Sequence, residues 1–254
     1  MDKFPPVLIL AGGLGTRLSA LNPNLPKSMV DVNGQPFIAH QLQLLRKQGV
    51  DDVVLCVGHQ EKPLRDFVGD GTIFGIRVRY STDYSPENSN QLLGTGGAVL
   101  KASKLVSSPF AVLYGDSYLD VAFAPFFESF VRLGKPALMT VYRNNNRRVP
   151  SNLLVRRGQV IAYEKEKPTP DMKHIDYGLT IFSEAALAGS PQSQPFDLAL
   201  VIKSLIGRGQ LACHQVDVCF REVGSEEGLR ELEEYLQVKK NQTDDAKAEV
   251  TFET

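Results

Sequence analysis

A glycine-rich segment near the start of the chain has the residue types that bind phosphate. Gly12, Gly13 and Gly15 follow an apolar run typical of a buried strand, and their missing side chains let backbone N–H groups turn towards an anion. Arg17 adds a planar fork of donors and Lys27 adds a mobile positive charge. The segment therefore predicts a triphosphate-binding loop. Its predicted nucleotide contacts are Leu10, Ala11, Gly12, Gly13, Gly15 and Thr16.

Two common phosphate-binding motifs do not fit this spacing. A dinucleotide-binding fingerprint needs a third glycine at position 18, where this chain has Leu18. A Walker loop needs lysine directly after the last glycine, whereas Thr16 and Arg17 follow Gly15. A glycine-rich turn without chemical meaning is the alternative for the glycines alone, and the basic pair beside them argues against it.

A carboxylate follows another predicted strand, Phe110–Tyr114, directly after Gly115. Ligands of α/β sheets bind at the carboxyl ends of central strands. A bound triphosphate needs a divalent cation to screen its charge, and Mg²⁺ prefers one or two carboxylates together with phosphate oxygens and water. Asp116 is therefore predicted to be a Mg²⁺ ligand, with an ordinary Gly-Asp turn as the alternative.

A second glycine-rich segment, Gln91–Ala98, precedes a predicted helix over Val99–Leu105. Gly94, Gly96 and Gly97 would let the backbone approach a flat ligand closely, and the free N–H groups of a helix start would point towards it. A flexible entry into the helix is the alternative for this segment.

Strand-like and helix-like segments alternate along most of the chain, which predicts a right-handed α/β fold with a largely parallel sheet covered on both faces. The predicted strands are Val7–Leu10, Asp51–Gly58, Gly75–Ser81, Phe110–Tyr114, Ala137–Tyr142, Asn152–Val155, Val160–Tyr163, Ile175–Phe182 and Leu211–Val218. The predicted helices are 36–48, Glu61–Val68, Val99–Leu105, Ala122–Leu133, Phe196–Ile206 and Glu226–Lys239. Two of the strands, on either side of Arg157 and Gly158, predict an antiparallel hairpin. One domain is expected over residues 1–238, and the polar residues 239–254 predict a disordered tail.

The composition of the chain limits the kinds of partner that we expect it to bind. The chain has 254 residues, a formal net charge of −1 and no polybasic block, so we expect no nucleic-acid partner. Its three cysteines lie in apolar surroundings without metal-binding spacing, which predicts reduced thiols in a cytoplasmic protein. The apolar run at the N-terminus is shorter than a signal peptide needs, and no run approaches the length of a membrane span.

AGGLGTRL, followed by Pro26 and Lys27, resembles the signature of the sugar-1-phosphate nucleotidyltransferases, also called nucleotide-sugar pyrophosphorylases. Further matches extend to about residue 230. The resemblance implies a three-layer, Rossmann-like fold with a mixed, mostly parallel sheet. It also implies that an NTP and a sugar 1-phosphate react to give an NDP-sugar and pyrophosphate, with Mg²⁺ as the cofactor.

The resemblance assigns further nucleotide and metal contacts. Gly94, Thr95 and Gly96 of LGTGGA would lie against the nucleotide, and the Gly-Asp pair at Asp116 would supply a metal ligand. Glu222, before a Gly-Ser turn, matches the position of the second metal carboxylate. On the local sequence alone, a surface glutamate before a helix cap explains Glu222 equally well.

The acceptor site is also assigned by resemblance. A lysine must reduce the repulsion between the two anionic substrates. The family places it in an EK motif, which favours Lys165 in YEK, with Lys167 in EKP as the alternative. Tyr177 and Gly178 fall in a segment that lines the sugar pocket, where relatives commonly carry an asparagine and this chain has Asp176 and Tyr177.

The chain looks most like the heptose-1-phosphate guanylyltransferases, which implies GTP and a role in cell-surface polysaccharide biosynthesis. Uridylyltransferases acting on a hexose or muramate 1-phosphate are the next choice. A non-catalytic sensor of nucleotide sugars and a transferase for a phosphoalcohol such as phosphocholine remain alternatives. The oligomeric state is left open.

Overall fold

The computed structural model describes residues 3–12, 25–58, 61–85, 91–191 and 194–251, with side chains described to residue 242. Gly13, Gly15, Thr16 and Arg17 of the predicted triphosphate loop lie outside the described residues. The six helices of the described part are α1 Phe37–Lys47, α2 Glu61–Val68, α3 Gly94–Ser103, α4 Ala124–Leu133, α5 Leu198–Gly207 and α6 Glu226–Thr251.

The strands of the main sheet are β1 Val7–Leu10, β4 Asp52–Val57, β5 Arg77–Thr82, β6 Phe110–Tyr114, β8 Ala137–Arg143, β9 Leu153–Arg156, β10 Gln159–Tyr163, β11 His174–Phe182 and β12 Leu211–Val216. Two short ribbons lie outside this sheet. One pairs β2 Asp31–Val32 with β3 Gln35–Pro36, and the other pairs β7 Ser117–Tyr118 with β13 Arg221–Glu222.

The centre of the sheet is parallel and one side is mixed. Strands β6, β1, β4 and β5 are parallel neighbours in that order. Strand β11 runs antiparallel to β6 and continues past its end to pair with β9 on the same side. On its other side β11 pairs with β8, which is parallel to β12. The predicted hairpin forms as β9 and β10. This arrangement confirms the predicted mixed, mostly parallel sheet.

Helices cover both faces of the sheet, which explains why β1 is apolar at every position. Val7 and Ile9 pack into one core with residues of α1 and α2, whereas Leu8 packs into a second core with residues of α3 and α5. A strand exposed on one face would alternate between apolar and polar residues. The sheet therefore forms the middle layer of three, as predicted.

Helix α6 is held to the domain through its first half. Leu232 is fully buried in a small third core with Val32, Phe37 and Val223. The helix continues to Thr251, through the residues from 239 onwards that the sequence predicts as a polar tail. The residues AKAE in this segment have high helix propensity, which outweighs their polar character.

Helix α3 begins at Gly94 rather than at the predicted Val99, so the glycines of LGTGGA form its first turn. All three cysteines are free thiols. Within the described ranges, no helix has both the length and the apolar character needed to cross a membrane.

Candidate functional site

A cavity of about 350 Å³ opens at the carboxyl ends of β1 and β6, beside the start of α3. This is the edge at which parallel sheets place ligand sites. Its lining brings together seven of the residues predicted from sequence with several that were not predicted. The lining residues are Leu10, Ala11, Gly12, Lys27, Ser28, Asp83, Leu92, Gly94, Thr95, Ala98, Tyr114, Gly115 and Asp116.

Gly12 and Gly115 let the chain segments at this edge approach closely. A Cβ atom on Gly12 would lie 2.4 Å from Asp83 Oδ2 and 3.1 Å from the Gly58 nitrogen. A Cβ atom on Gly115 would lie 2.4 Å from the Leu10 carbonyl oxygen. Real Cβ atoms do not approach other atoms so closely. Backbone of the protein itself therefore requires glycine at position 115, whereas a side chain at position 12 would require the Asp83 carboxyl group to move.

Asp83 is a cavity residue that the sequence analysis missed. It follows β5, and backbone hydrogen bonds fix it between β4 and the start of α3: its N–H donates to the Val57 carbonyl at 2.7 Å, and its carbonyl accepts from the Leu93 N–H at 2.8 Å. Among the described residues, Oδ1 of its side chain is buried without a hydrogen-bond partner. The signal was available, since Asp83 follows a predicted strand at the same sheet edge as Asp116.

The surroundings of Asp83 keep its carboxyl group partly protonated near neutral pH. Burial raises the pKa of Asp83 to about 7. The positive charge of Lys101 opposes this shift, and the negative charge of Glu61 adds to it. Because a buried carboxylate without donors is costly, the site favours a ligand that brings donors to Asp83.

The ribbon of β7 and β13 brings the two predicted metal ligands together. Glu222 pairs with Ser117, the residue after Asp116, and the Val223 N–H donates to the Asp116 carbonyl at 3.0 Å. A Cβ atom on Gly224 would lie 2.5 Å from Glu222 Oε2 and 3.5 Å from Asp116 Oδ2, so both carboxylates border the same point. The side chain of Glu222 also accepts hydrogen bonds from the Gly224 N–H and the Ser225 hydroxyl, so the structure places it both beside Asp116 and at the start of α6.

Lys27 joins the same cluster. It begins a 3₁₀ turn over Lys27–Met29, and its Nζ lies 3.6 Å from Asp116 Oδ2. Within the described part of the chain, no group of three or more histidine, cysteine, aspartate or glutamate side chains could hold a metal. Two carboxylates from the protein, with phosphate oxygens and water completing the shell, match the preference of Mg²⁺. The donor set therefore fits that ion.

The glycines of LGTGGA serve packing as much as ligand approach. Gly94 has a φ of +71°, and a Cβ atom there would lie 2.6 Å from the Phe196 carbonyl oxygen. A Cβ atom on Gly96 would lie 2.2 Å from the Phe196 ring, and the Gly96 N–H already donates to the Phe196 carbonyl at 2.9 Å. Gly94 and Thr95 line the cavity, and the Phe196 ring fills the space beside Gly96.

Lys165 lies at the end of β10, next to the N-terminus of α5. Its Nζ lies 3.4 Å from Asp197 Oδ1 and 5.6 Å from the centre of the Tyr163 ring. Its positive charge also acts on the buried carboxyl group of Asp176, opposing the rise in the pKa of Asp176 that burial causes. Lys165 and Lys167 are both exposed, and Lys165 is the one that contacts Asp197.

Asp176 faces the site and Tyr177 does not. Asp176 Oδ2 accepts a hydrogen bond of 2.6 Å from the hydroxyl of Tyr114, a residue of the cavity wall, and Oδ1 accepts from the Gly178 N–H at 3.0 Å. Gly178 has a φ of +105°, and its Cβ atom would lie 3.1 Å from Ser117 Oγ, next to the metal-ligand ribbon.

The prediction that the Tyr177 side chain contacts the sugar phosphate is corrected by its position. Tyr177 is 1% exposed and packs edge-on against Phe220, with ring centres 6.2 Å apart. Successive side chains of a strand point to opposite faces, so Asp176 on the site face requires Tyr177 to enter the core.

Comparisons with known proteins agree with this geometry. A family model described as nucleotidyl transferase matches residues 6–234. The chain is 36% identical to the D-glycero-alpha-D-manno-heptose 1-phosphate guanylyltransferase of Campylobacter jejuni over 114 residues, which are 45% of this chain and 48% of that protein. The enzyme of the same description from Aneurinibacillus thermoaerophilus is 29% identical over 190 residues, 74% of this chain and 79% of that protein. The chain therefore spans about half the length of the Campylobacter relative and over two thirds of the other.

Among solved structures, HddC from Yersinia pseudotuberculosis in complex with GMP-PN superposes with a TM-score of 0.76 at 26% identity, covering 92% of this chain and 100% of that chain. A UDP-glucose pyrophosphorylase in complex with UDP-glucose superposes with a TM-score of 0.73 at 15% identity, covering 93% of this chain and 99% of that chain. At 15% identity, the similarity to the UDP-glucose pyrophosphorylase shows a shared fold only.

Proposed function

Because the chain belongs to the nucleotidyl transferase family, we propose that it transfers a nucleotidyl group from an NTP to a sugar 1-phosphate and releases pyrophosphate. The observation that carries this proposal is the cluster of Asp116, Glu222 and Lys27 at the mouth of the cavity that Gly12 and Thr95 line. A nucleotide in the cavity would present its phosphates to this cluster.

The reaction is an in-line displacement at phosphorus. An oxygen of the sugar phosphate attacks the α-phosphorus of the NTP, a new P–O bond forms, and the bond to the β-phosphate oxygen breaks, so that pyrophosphate leaves with the negative charge. No general base is needed, because the attacking phosphate oxygen is already ionised. Lys27 lies where its charge offsets that of the phosphates, and Arg17 has the same proposed role.

Asp116 and Glu222 are the proposed ligands of Mg²⁺. When bound there, Mg²⁺ supplies charge neutralisation to the triphosphate and to the departing pyrophosphate. Lys165 is the proposed contact of the acceptor phosphate, since it stands beside Asp197 and acts on the buried carboxyl group of Asp176. The protein then contributes alignment and electrostatic stabilisation, which supply most of the catalysis in phosphoryl transfer.

We further propose GTP as the nucleotide and a heptose 1-phosphate as the acceptor. The two curated relatives described above are heptose 1-phosphate guanylyltransferases, and HddC was solved with GMP-PN. Asp83 lines the cavity and is compatible with a nucleobase that donates hydrogen bonds, as guanine does through its N–H and its amino group.

The product would be an NDP-heptose for the building of cell-surface polysaccharide, made in the cytoplasm. A uridylyltransferase is the second candidate, since the N-acetylmuramate alpha-1-phosphate uridylyltransferase of Neisseria meningitidis is 32% identical over 48% of this chain and 51% of that protein. A non-catalytic sensor is disfavoured. Binding of a nucleotide sugar alone does not require the cluster of two carboxylates and a lysine at the mouth of the cavity.

The test is pyrophosphate release with each of the four NTPs, Mg²⁺ and a panel of sugar 1-phosphates. We expect the highest kcat/KM with GTP and a heptose 1-phosphate. Asp116→Asn should lower kcat by about 100-fold or more, because the proposed metal loses a charged ligand, while the thermal unfolding temperature stays close to that of wild type. Asp171→Asn, at an exposed ion pair with Arg156, is the control. Absence of pyrophosphate release with every pair of substrates, or near-normal turnover of Asp116→Asn, would refute the proposal.

A further inference from the structure

The segment Phe196–Leu198 lies between the two proposed substrate sites. It is hydrogen-bonded to the residues at the start of α3, which border the proposed nucleotide site. The Phe196 N–H donates to the Leu93 carbonyl at 3.0 Å, and the Phe196 carbonyl accepts from the Gly96 N–H at 2.9 Å. The Leu198 N–H donates to Thr95 Oγ1 at 2.9 Å. Three hydrogen bonds therefore fix this segment to the first turn of α3, where Gly94 and Thr95 line the cavity.

Asp197, in the middle of the segment, contacts the acceptor side. Its Oδ1 accepts the Ala199 N–H at 2.7 Å, which caps the start of α5, and the same oxygen lies 3.4 Å from Lys165 Nζ. A charge-assisted hydrogen bond between an ammonium and a carboxylate is about 2.7–2.9 Å long, so the longer distance indicates a weaker contact. The ammonium is held near Asp197 and keeps donors available for another anion.

We infer that Asp197 is a positioning residue for the acceptor: it holds Lys165 in place for the sugar phosphate and ties that lysine to the nucleotide-binding turn of α3. This inference rests on the proposed function. Asp197 touches neither the nucleotide cavity nor the metal ligands, and it acts through Lys165. A change of its charge should therefore affect the acceptor more than the NTP.

The size of the effect follows from the exposure of the pair. The side chains of Lys165 and Asp197 are 42% and 53% exposed, and exposed ion pairs are weak. Loss of such a pair corresponds to a change of about two- to fivefold in an equilibrium constant. A variant of Asp197 should accordingly weaken acceptor binding by that factor without abolishing turnover.

Asp197→Asn separates the two roles of the side chain, because asparagine is as good an N-cap as aspartate but has no charge. We would measure kcat and both KM values with the NTP and sugar 1-phosphate that react fastest in wild type. The expected result is a rise of about two- to fivefold in the KM of the sugar 1-phosphate, with the KM of the NTP and the unfolding temperature unchanged. Asp197→Glu, which keeps the charge, should restore part of the loss.

Asp171→Asn is a matched control. Asp171 is also 53% exposed and lies 3.6 Å from Arg156 in an ion pair of similar length, outside the site. An unchanged or lower acceptor KM in Asp197→Asn would overturn the inference. An equal effect in Asp171→Asn, or parallel changes in both KM values with a lower unfolding temperature, would also overturn it. Absence of turnover in wild type itself would instead reject the proposed function.

Discussion

At the scale of single residues, the distinctive group is the carboxyl of Asp83. Its Oδ1 is buried without a partner among the described residues, and burial raises the pKa of Asp83 to about 7. A folded protein gains nothing from such a group by itself, since a buried carboxylate without donors is unfavourable. Asp83 also lines the cavity, so in the proposed enzyme we expect its carboxyl group to contact the nucleobase.

This assignment predicts a pH-dependent affinity. The ionised form of Asp83 would be the better acceptor for a donor of guanine, and that form becomes dominant as the pH rises above about 7. We therefore expect the KM of GTP to fall between pH 6 and pH 8 in wild type. In Asp83→Asn the KM should be at least about tenfold higher, because a charge-assisted hydrogen bond contributes about 1.5–3 kcal/mol, and it should vary little across the same pH range.

Steady-state kinetics in GTP at several pH values checks this expectation, with Asp171→Asn as the control for loss of a carboxylate. GTP itself also titrates, but this affects wild type and every variant equally. Comparison of their pH profiles therefore isolates the contribution of Asp83. An Asp83→Asn enzyme with the KM and the pH profile of wild type would show that Asp83 does not contact the base.

At the scale of elements, the first turn of α3 shows that one sequence motif can serve both helix packing and the lining of a cavity. Gly96 leaves room for the Phe196 ring, and its N–H is bonded to the Phe196 carbonyl. The motif LGTGGA therefore shapes the contact between α3 and the segment that leads into α5. Gly94 and Thr95 remain at the cavity wall.

The packing role of Gly96 can be tested by a double-mutant cycle. Gly96→Ala places a Cβ atom 2.2 Å from the Phe196 ring and should lower the free energy of unfolding by about 1–3 kcal/mol, as overpacked cores do. Phe196→Leu makes space, so the double variant should be less destabilised than the sum of the two single changes. Urea unfolding of the four proteins measures the coupling. Additive effects would mean that alanine at position 96 does not meet the ring.

The elements themselves were largely predictable, and the contacts between them were not. The apolar run Val7–Leu10 predicted β1 because a strand buried on both faces needs apolar residues throughout. The position of Glu222 beside Asp116 depends on the pairing of β7 with β13, two strands of two residues each, which no periodicity indicates. Residues far apart in sequence meet there through tertiary packing alone.

The packing contacts were hidden from the sequence for the same reason. A glycine in the sequence shows that a side chain is missing but not what occupies the space, so the contact of Gly96 with Phe196 could not be predicted. Tyr177 was assigned to the sugar pocket by its position in a segment, although strand alternation puts only one of Asp176 and Tyr177 on the site face. Asp83 was overlooked, because no motif contains it.

At the scale of the whole molecule, the domain is closed by the first half of α6. Leu232 is fully buried, and Tyr235 and Lys239 both bond to Asp120. Residue 239 was the predicted start of the tail, and Lys239 still contacts the domain through Asp120.

Truncation after Lys240 tests this boundary. The shortened chain should unfold within about 1 kcal/mol of the full chain, because all the contacts of α6 named above are retained. Leu232→Ala in the full chain should cost about 2–5 kcal/mol, since it removes a fully buried side chain. Denaturant unfolding compares the two. A truncated protein as unstable as Leu232→Ala would show that the distal half of α6 is part of the fold.

The ribbon of β7 and β13 also joins parts of the chain that are far apart in sequence. The residues that line the nucleotide cavity end at Asp116, whereas Glu222 is contributed by the ribbon near the end of the domain. The two proposed metal ligands therefore meet only in the folded domain, so the affinity for the proposed metal would be coupled to folding of the whole domain.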